Sequence, residues 1–448
     1  MADDLSRDLG LWSALAIGVG TMVGAGIFVL PGAATAGAGP AATAAFVLGG
    51  AIALFTALTA SELSTAFPEA GGVFVYIDEA LGPLAGTVAG LGSWLGMAFA
   101  AAFYSIGFGE YVAVFLAVPD LWVVSGEQIS ALVLGGVMVA VNYSGADLTG
   151  KVQDFTVGTL LGLLALFALA GLVTGDFSNL RPFAPAETGG YSAIFPATAL
   201  IFVSYIGFAK IATAAEELEN PGRNLPLSII GSVVITTVVY GVVMVTVLML
   251  LPWQAVAGNS TAVADAGGVL FGTAGFVVLT VGGLLATASS TNAAVLAASR
   301  INLATARQTV MSDWLSATNE DGSSPTRAVV LTGALILFFT AVGGIELLAK
   351  AGSVLHLVLY GLLNVALVVF RTADLPDDRY DPAFRVPLYP YVPAVGMVLS
   401  FGLIAFMAPV EIVLSIVFIV VAVAWYFVYT RTRSRDEGDI GVLHEYLL

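Results

Sequence analysis

"GVGTMVGAGIFVLPG", residues 18–32, places five glycines and a proline inside an apolar run that begins at Leu9. Relative to alanine, glycine costs a helix interior about 1 kcal/mol and proline about 3 kcal/mol. A segment built only to span hydrocarbon would use leucine instead. An interruption at membrane depth strands N–H and carbonyl groups that lipid cannot satisfy, so it persists only where it faces a polar occupant. Whether the chain crosses a membrane therefore decides what these glycines are for.

Composition answers that question. The 448 residues are 58% hydrophobic and 10% charged, with mean hydropathy +0.96, outside the range of soluble globular proteins. Apolar runs of roughly 20 residues, the length that crosses a bilayer, recur from end to end. No short apolar region followed by a small-residue cleavage site precedes them, so the first span is expected to be retained. Twelve spans are predicted, at 9–36, 40–65, 83–117, 127–145, 152–174, 192–216, 225–251, 268–306, 327–343, 347–370, 389–408 and 410–430. The expected fold is an all-α polytopic membrane protein with a short N-terminus (1–8), two five-span units (9–174 and 192–370), two further spans (389–430) and an acidic tail (431–448).

Basic residues set the orientation. With the N-terminus in the cytoplasm, Arg7, Lys151, Arg223, Arg300, Arg307, Arg327, Arg371 and the arginines after them all fall on the inner side. Arg181 and Lys350 fall outside, and Lys210 lies within a span. Both termini are thus predicted to be cytoplasmic, in the cell membrane. The net charge of −16 comes from acid clusters in the connections, and lysine is nearly absent. Such a surface suits concentrated salt and points to a halophilic source. Zero cysteines exclude disulfides, and with two histidines no histidine metal cluster is expected.

A second interruption falls five spans after the first. Span 6, "AIFPATALIFVSYIGFAKIATAAEEL", carries Gly207 near its middle beside Ser204 and Tyr205. Interrupted segments at corresponding positions of two halves point to inverted repeats with a midplane binding site. The competing explanation, small residues at a close helix crossing, accounts for one such segment more easily than for two. The half-helix beginning near Gly26 would present bare N–H groups and a positive dipole end, suited to a carboxylate. Carbonyls near Met22, with others around Val203 and Ile206, would suit an ammonium. A zwitterion completes both sets.

These residues resemble the amino acid–polyamine–organocation (APC) transporters. "GTMVGAGIFVLPG" is similar to that family's first-helix signature, and "FVSYIGFAKIATAAEELENPGRNLPLSI" to its sixth helix and following loop. "SELSTAFPEAGGVFVYIDEALGP", "NAAVLAASRINLATAR" and "FRVPLYP" resemble further segments, in family order and over nearly the whole chain. The resemblance implies a LeuT-like fold of five-plus-five inverted repeats plus two helices, and amino acid transport by alternating access. It implies carboxylate contacts at Gly24, Ala25 and Gly26, and ammonium contacts at the carbonyls of Met22, Val203 and Ile206. Val203 stands where many relatives have a gating aromatic. Thr159, aligned with a one-residue gap, stands where proton-coupled relatives carry a lysine.

Hydroxyls are suitable ligands for a hard cation, and Ser289 and Ser290 stand where sodium-coupled transporters of this fold supply such groups. The resemblance thus implies a sodium site at Thr159, Ser289 and Ser290, with proton coupling or exchange as alternatives. Intrahelical bonding of these hydroxyls to carbonyls one turn back is the ordinary competing role. Lys210, Glu216, Glu217 and Arg223 are expected to organise the inner gate, Tyr104 to line the solute path, Glu110 to reach the outer vestibule or end its helix at the interface, and Glu62 to anchor the inner face. His356 is expected to be a hydrogen-bonded packing residue. The glycine-rich stretch lacks the lysine–serine/threonine ending of a phosphate-binding loop, and no catalytic constellation appears. The expected partners are a small amino acid, neutral by preference for want of an acid in the pocket, and the bilayer. No nucleic acid is expected, no cofactor beyond a coupling ion, and a monomer or homodimer. A non-transporting amino acid receptor is the rival class, and a channel is disfavoured by the lack of a filter sequence.

Overall fold

The computed structural model describes residues 9–67, 72–122, 124–145, 150–213, 215, 218–319, 324–373, 380–432 and 442. Among them the chain forms helices throughout, with extended pairing confined to isolated bridges such as Leu9 to Leu218. In chain order the α-helices are α1 (Leu11–Val23), α2 (Ala25–Ala38), α3 (Ala42–Ala66), α4 (Val73–Leu81), α5 (Pro83–Ala113), α6 (Gly126–Ser144), α7 (Gly150–Thr174) and α8 (Ile194–Ile201). They continue with α9 (Ala209–Thr213), α10 (Pro221–Leu250), α11 (Trp253–Val256), α12 (Ala262–Arg307), α13 (Thr326–Val342), α14 (Ile345–Thr372), α15 (Tyr391–Ile404) and α16 (Pro409–Trp425).

Burial is distributed as lipid dictates. The interior mixes aromatics such as Phe28, Phe46 and Tyr205 with many small and hydroxylated residues, which let helices without water between them approach closely along their backbones. Helix α5 buries Gly86, Ala89, Gly90, Ala98 and Ala101 where it packs on α12, α14 and α6. Branched and aromatic residues also cover the lipid-facing sides: Val413, Ile416, Val417 and Val420 of α16, and Phe155 and Leu169 of α7, are exposed. Among the described residues, eight stretches are long and apolar enough to cross a membrane, the first of them, Leu11–Ala66, running through the α1/α2 interruption and on into α3. The protein is an all-α polytopic membrane protein.

Two departures from the predicted spans have local causes. Helix α12 begins six residues before the predicted 268 and bends at Gly272, whose φ of 62° and ψ of −152° only glycine adopts freely. Segment 6 is tightened rather than unwound. Residues Phe202–Phe208 continue from α8 to α9 as a 3-10 helix, a geometry used in short connecting pieces.

At the end of the bundle where Leu11 enters, Glu62 is fully buried and accepts four hydrogen bonds. Arg371 donates to it through Nε (2.7 Å) and Nη2 (2.6 Å), the Tyr380 hydroxyl at 2.6 Å and the Val386 N–H at 2.6 Å. Planar bidentate pairing of this kind is the strongest form of the carboxylate–guanidinium contact. Glu62 thus ties α3 to α14 and to the connection before α15, the anchoring role expected of it. Tyr380 lies in that connection, where burial, and then the neighbouring Glu62 carboxylate, hold its phenol above the usual tyrosine range.

Candidate functional site

Helix α1 stops at Val23 and α2 starts at Ala25, with Gly24 (ψ −116°) turning the chain between them. The 3-10 stretch of segment 6 packs directly against α1. Three glycines permit this crossing by having no side chain. A Cβ on Gly24 would overlap the Ser290 hydroxyl, and one on Gly26 would overlap Ser204 and the Tyr240 hydroxyl. A Cβ on Gly207 would lie 2.8 Å from Met22 Cγ and 2.9 Å from Thr21 Cβ. Gly207 therefore serves close approach to α1, and the backbone at that position is not opened.

Several main-chain groups at the crossing are met by a hydroxyl from another helix. The Ala25 N–H, first of α2, donates to Ser290 Oγ of α12 at 3.3 Å. The Tyr240 hydroxyl of α10 donates to the Met22 carbonyl and lies 3.4 Å from the Ser204 carbonyl. The Tyr360 hydroxyl of α14 donates to the Ile206 carbonyl at 3.2 Å. Ser353 Oγ, also of α14, accepts from the Val203 N–H at 2.8 Å and donates to the Leu200 carbonyl at 3.3 Å. Tyr111 of α5 donates to the Phe28 carbonyl at 2.8 Å. Buried main-chain groups are almost always paired, and here the partners are side chains.

Met22, Gly24, Ala25, Gly26, Val203 and Ile206 come together at this crossing and are all buried. Tyr104 is buried on α5, close enough to Tyr240 and Tyr360 to interact with both electrostatically. Ser290 belongs to the site as the partner of Ala25, and Ser289 is half-buried. Thr159 does not belong. It is exposed on the outer surface of α7, and its hydroxyl donates to the Phe155 carbonyl one turn back. The expected three-hydroxyl sodium site is therefore not assembled from these residues.

Lys210 lies away from the crossing in a separate small cavity, and Arg223 is exposed in the first turn of α10 without an ion pair to any described residue. Glu216 and Glu217 lie outside the described residues. The sequence reading missed Tyr240, Tyr360 and Ser353. The two tyrosines share a signal that was available: each is followed by glycine in the middle of an apolar span, as Tyr240-Gly241 and Tyr360-Gly361.

Two cavities flank the crossing unequally. One of about 720 Å³ lies toward the end of the bundle opposite Leu11 and reaches down to Val29 and Leu200. Its wall includes Glu110, which accepts from Ser260 at 3.0 Å, and Lys350, which pairs with Glu346 at 2.6 Å and Glu411 at 3.3 Å. The other, about 30 Å³, lies on the Leu11 side and is lined by Lys210 and His356. The crossing itself is packed solid between them.

The sequence profile of the amino acid permease family matches residues 9–438. A branched-chain amino acid permease of Bacillus subtilis is 27% identical over 96% of this chain and 94% of its own length. A cationic amino acid transporter of Arabidopsis thaliana is 28% identical over 82% of this chain and 63% of its own, and a methylthioribose transporter of Bacillus subtilis is 25% identical over 96% and 95%. A chain matched over nearly its whole length, with a broken helix at the family's first-helix signature, belongs to the amino acid permease family and is a membrane transporter, not an enzyme.

Proposed function

We propose that the protein moves neutral, aliphatic amino acids across the membrane by alternating access, with the solute held at the α1/α2 break. The observation that carries the reading is the set of hydroxyls around that break. Each stands where a charged end of an amino acid would otherwise bond. A carboxylate replaces Ser290 at the Ala25 N–H, where the dipole of α2 favours negative charge. An ammonium replaces the Tyr240 and Tyr360 hydroxyls at the Met22 and Ile206 carbonyls. The hydroxyls keep the poles paired between solutes, so the site pays no penalty for unmet buried groups at either stage.

Neutral solutes are favoured because the side chains named around the break, among them Val203, Ser204, Tyr104 and Ser353, carry no charge. A cationic side chain would call for a carboxylate there. The near-full-length match to a branched-chain permease supports an aliphatic solute. With the Leu11 end cytoplasmic, as the basic residues predict, the large cavity lies on the outer side of the break and the small one on the inner side. Alternating access exchanges the large space and the small one between the two sides.

Counterflow of labelled L-leucine in proteoliposomes tests the reading. Saturable exchange, competed by other aliphatic amino acids, is expected. Leucine binding, seen as a thermal shift, with no exchange would make the protein a receptor and overturn it. A response restricted to diamines or cationic amino acids would overturn the neutral preference.

A further inference from the structure

The small cavity on the Leu11 side holds an arrangement that substrate binding does not use. Lys210 is 7% exposed, and its Nζ has no hydrogen-bond partner among the described residues. An ammonium sealed from water without a counter-charge is strongly disfavoured. His356 lines the same cavity. Its Nδ1 lies 2.9 Å from the Gly352 carbonyl. A carbonyl only accepts, so Nδ1 carries the hydrogen and Nε2 is left as the acceptor of the neutral ring. At about 30 Å³ the cavity has room for one or two waters, each needing roughly 10–15 Å³. Two bases therefore border one water-sized space.

Among the described residues the remaining wall brings no other titratable group. It is made by Val73 and Phe74 of α4, Ser93 and Met97 of α5, Ala209 and Thr213 of α9, Ala297 and Ile301 of α12, and Leu359 of α14. The neighbours of this segment on α1 and α10, Thr21, Met22 and Ser232, do not titrate, and the carboxylate of α3, Glu62, is committed to Arg371 and Tyr380. Tyr360 packs edge-on against His356, with ring centroids 5.8 Å apart.

We propose that Lys210 and His356 form a proton site, sharing one proton across this cavity through water, and that its loading and release accompany each transport cycle. The proposal rests on the transporter reading and names its coupling ion. Its connection to the solute is geometric. Ile206 and Lys210 are four residues apart on segment 6, and Tyr360 and His356 four apart on α14. The Tyr360–Ile206 hydrogen bond thus lies one turn from the Lys210–His356 cavity on the same pair of segments. A solute ammonium that takes the Ile206 carbonyl displaces the Tyr360 hydroxyl against His356. Solute and proton then bind with a mutual coupling energy, which linkage makes reciprocal. The competing sodium set of Thr159, Ser289 and Ser290 does not come together, since Thr159 is exposed on α7 and bonded one turn back to Phe155.

The test uses the full chain in liposomes with labelled L-leucine. An imposed acid-outside gradient is expected to drive accumulation in the wild type. In K210M, and independently in H356Q, gradient-driven uptake is expected to fall about tenfold further than counterflow exchange does, as for loss of a functional intramembrane charge. In weakly buffered detergent solution with a pH indicator, leucine addition to the wild type is expected to move protons, and to K210M none. Gradient-driven accumulation by K210M equal to wild type would overturn the proposal. Equal loss of exchange and accumulation in both variants would do the same, marking a structural role. Accumulation that follows sodium or requires chloride, and ignores the pH gradient, would also overturn it. Absence of counterflow in the wild type would instead sink the transporter reading itself.

Discussion

Ser290 Oγ lies 3.3 Å from the backbone nitrogen of Ala25 and accepts its hydrogen bond, so a side chain of α12 caps the first turn of α2 across 265 residues of sequence. Removing a capping hydroxyl costs a helix about 0.5–2 kcal/mol. S290A is expected to lower the thermal midpoint of the substrate-free protein and to enlarge the rise in midpoint that leucine produces, because the carboxylate then meets an unpaired N–H. Equal midpoints for wild type and variant without solute would show that the hydroxyl does not serve as the cap.

Gly24 and Gly26 admit no side chain. The new methyl group of G24A meets Ser290, and that of G26A meets Ser204 and Tyr240. Overpacking of this kind costs typically about 1–3 kcal/mol. Each variant is expected to insert into the membrane yet lose leucine binding, whereas alanine at Gly37, which has open space around it, is expected to leave binding intact. Leucine-induced thermal shift measured on the three variants side by side checks this.

The tyrosine hydroxyls at Met22 and Ile206 are donors to buried carbonyls. Leaving such a carbonyl unmet costs about 1–3 kcal/mol. Y240F and Y360F are each expected to lower the substrate-free midpoint by a few degrees. Both should weaken transport more than Y205F, whose lost hydroxyl bonds Phe46 at 2.8 Å away from the break. Initial rates of counterflow at saturating and limiting leucine distinguish weakened binding from slowed cycling.

How far the sequence carried the fold depends on how local each signal was. The break at Gly24 was legible because Gly24 and Gly26, both poor helix formers, fall together in the middle of an apolar run. The anchor role of Glu62 was legible from an acid beside a proline-containing turn at a span end, although its partners, Arg371 and Tyr380, come from a segment some 310 residues away and could not be read. Thr159 shows the limit. Each residue turns a helix by about 100°, so a shift of one residue in the alignment exchanges interior for surface: Thr159 is exposed, and Leu160 beside it is buried. Ser353, Tyr240 and Tyr360 were hidden because a hydroxyl in a span is informative only once the carbonyl or N–H opposite it is known. Segment 6 carried a similar ambiguity: its glycine meant close approach to α1, and local sequence does not separate that from unwinding.

The Glu62 cluster gives a pH dependence with a definite sign. Tyr380 donates to Glu62 Oε1 at 2.6 Å, and burial followed by that carboxylate holds its phenol above the ordinary value of 10.0. The folded protein therefore keeps the Tyr380 proton at a pH where the unfolded chain has released it. The stabilisation is complete below the unfolded value and is lost as pH rises beyond it, because the unfolded state gains from ionising first. Thermal unfolding of wild type and Y380F between roughly pH 8 and 12, spanning the ordinary tyrosine range, is expected to show wild type ahead at the lower end and the gap closing at the upper. E62Q removes the charge that Arg371 faces. Breaking a buried pair on one side costs about 3–5 kcal/mol, so E62Q is expected to unfold well below wild type at every pH and to flatten the alkaline contrast with E62Q/Y380F. A gap between wild type and Y380F that widened with pH would mean that Tyr380 is not held in its protonated form by this cluster.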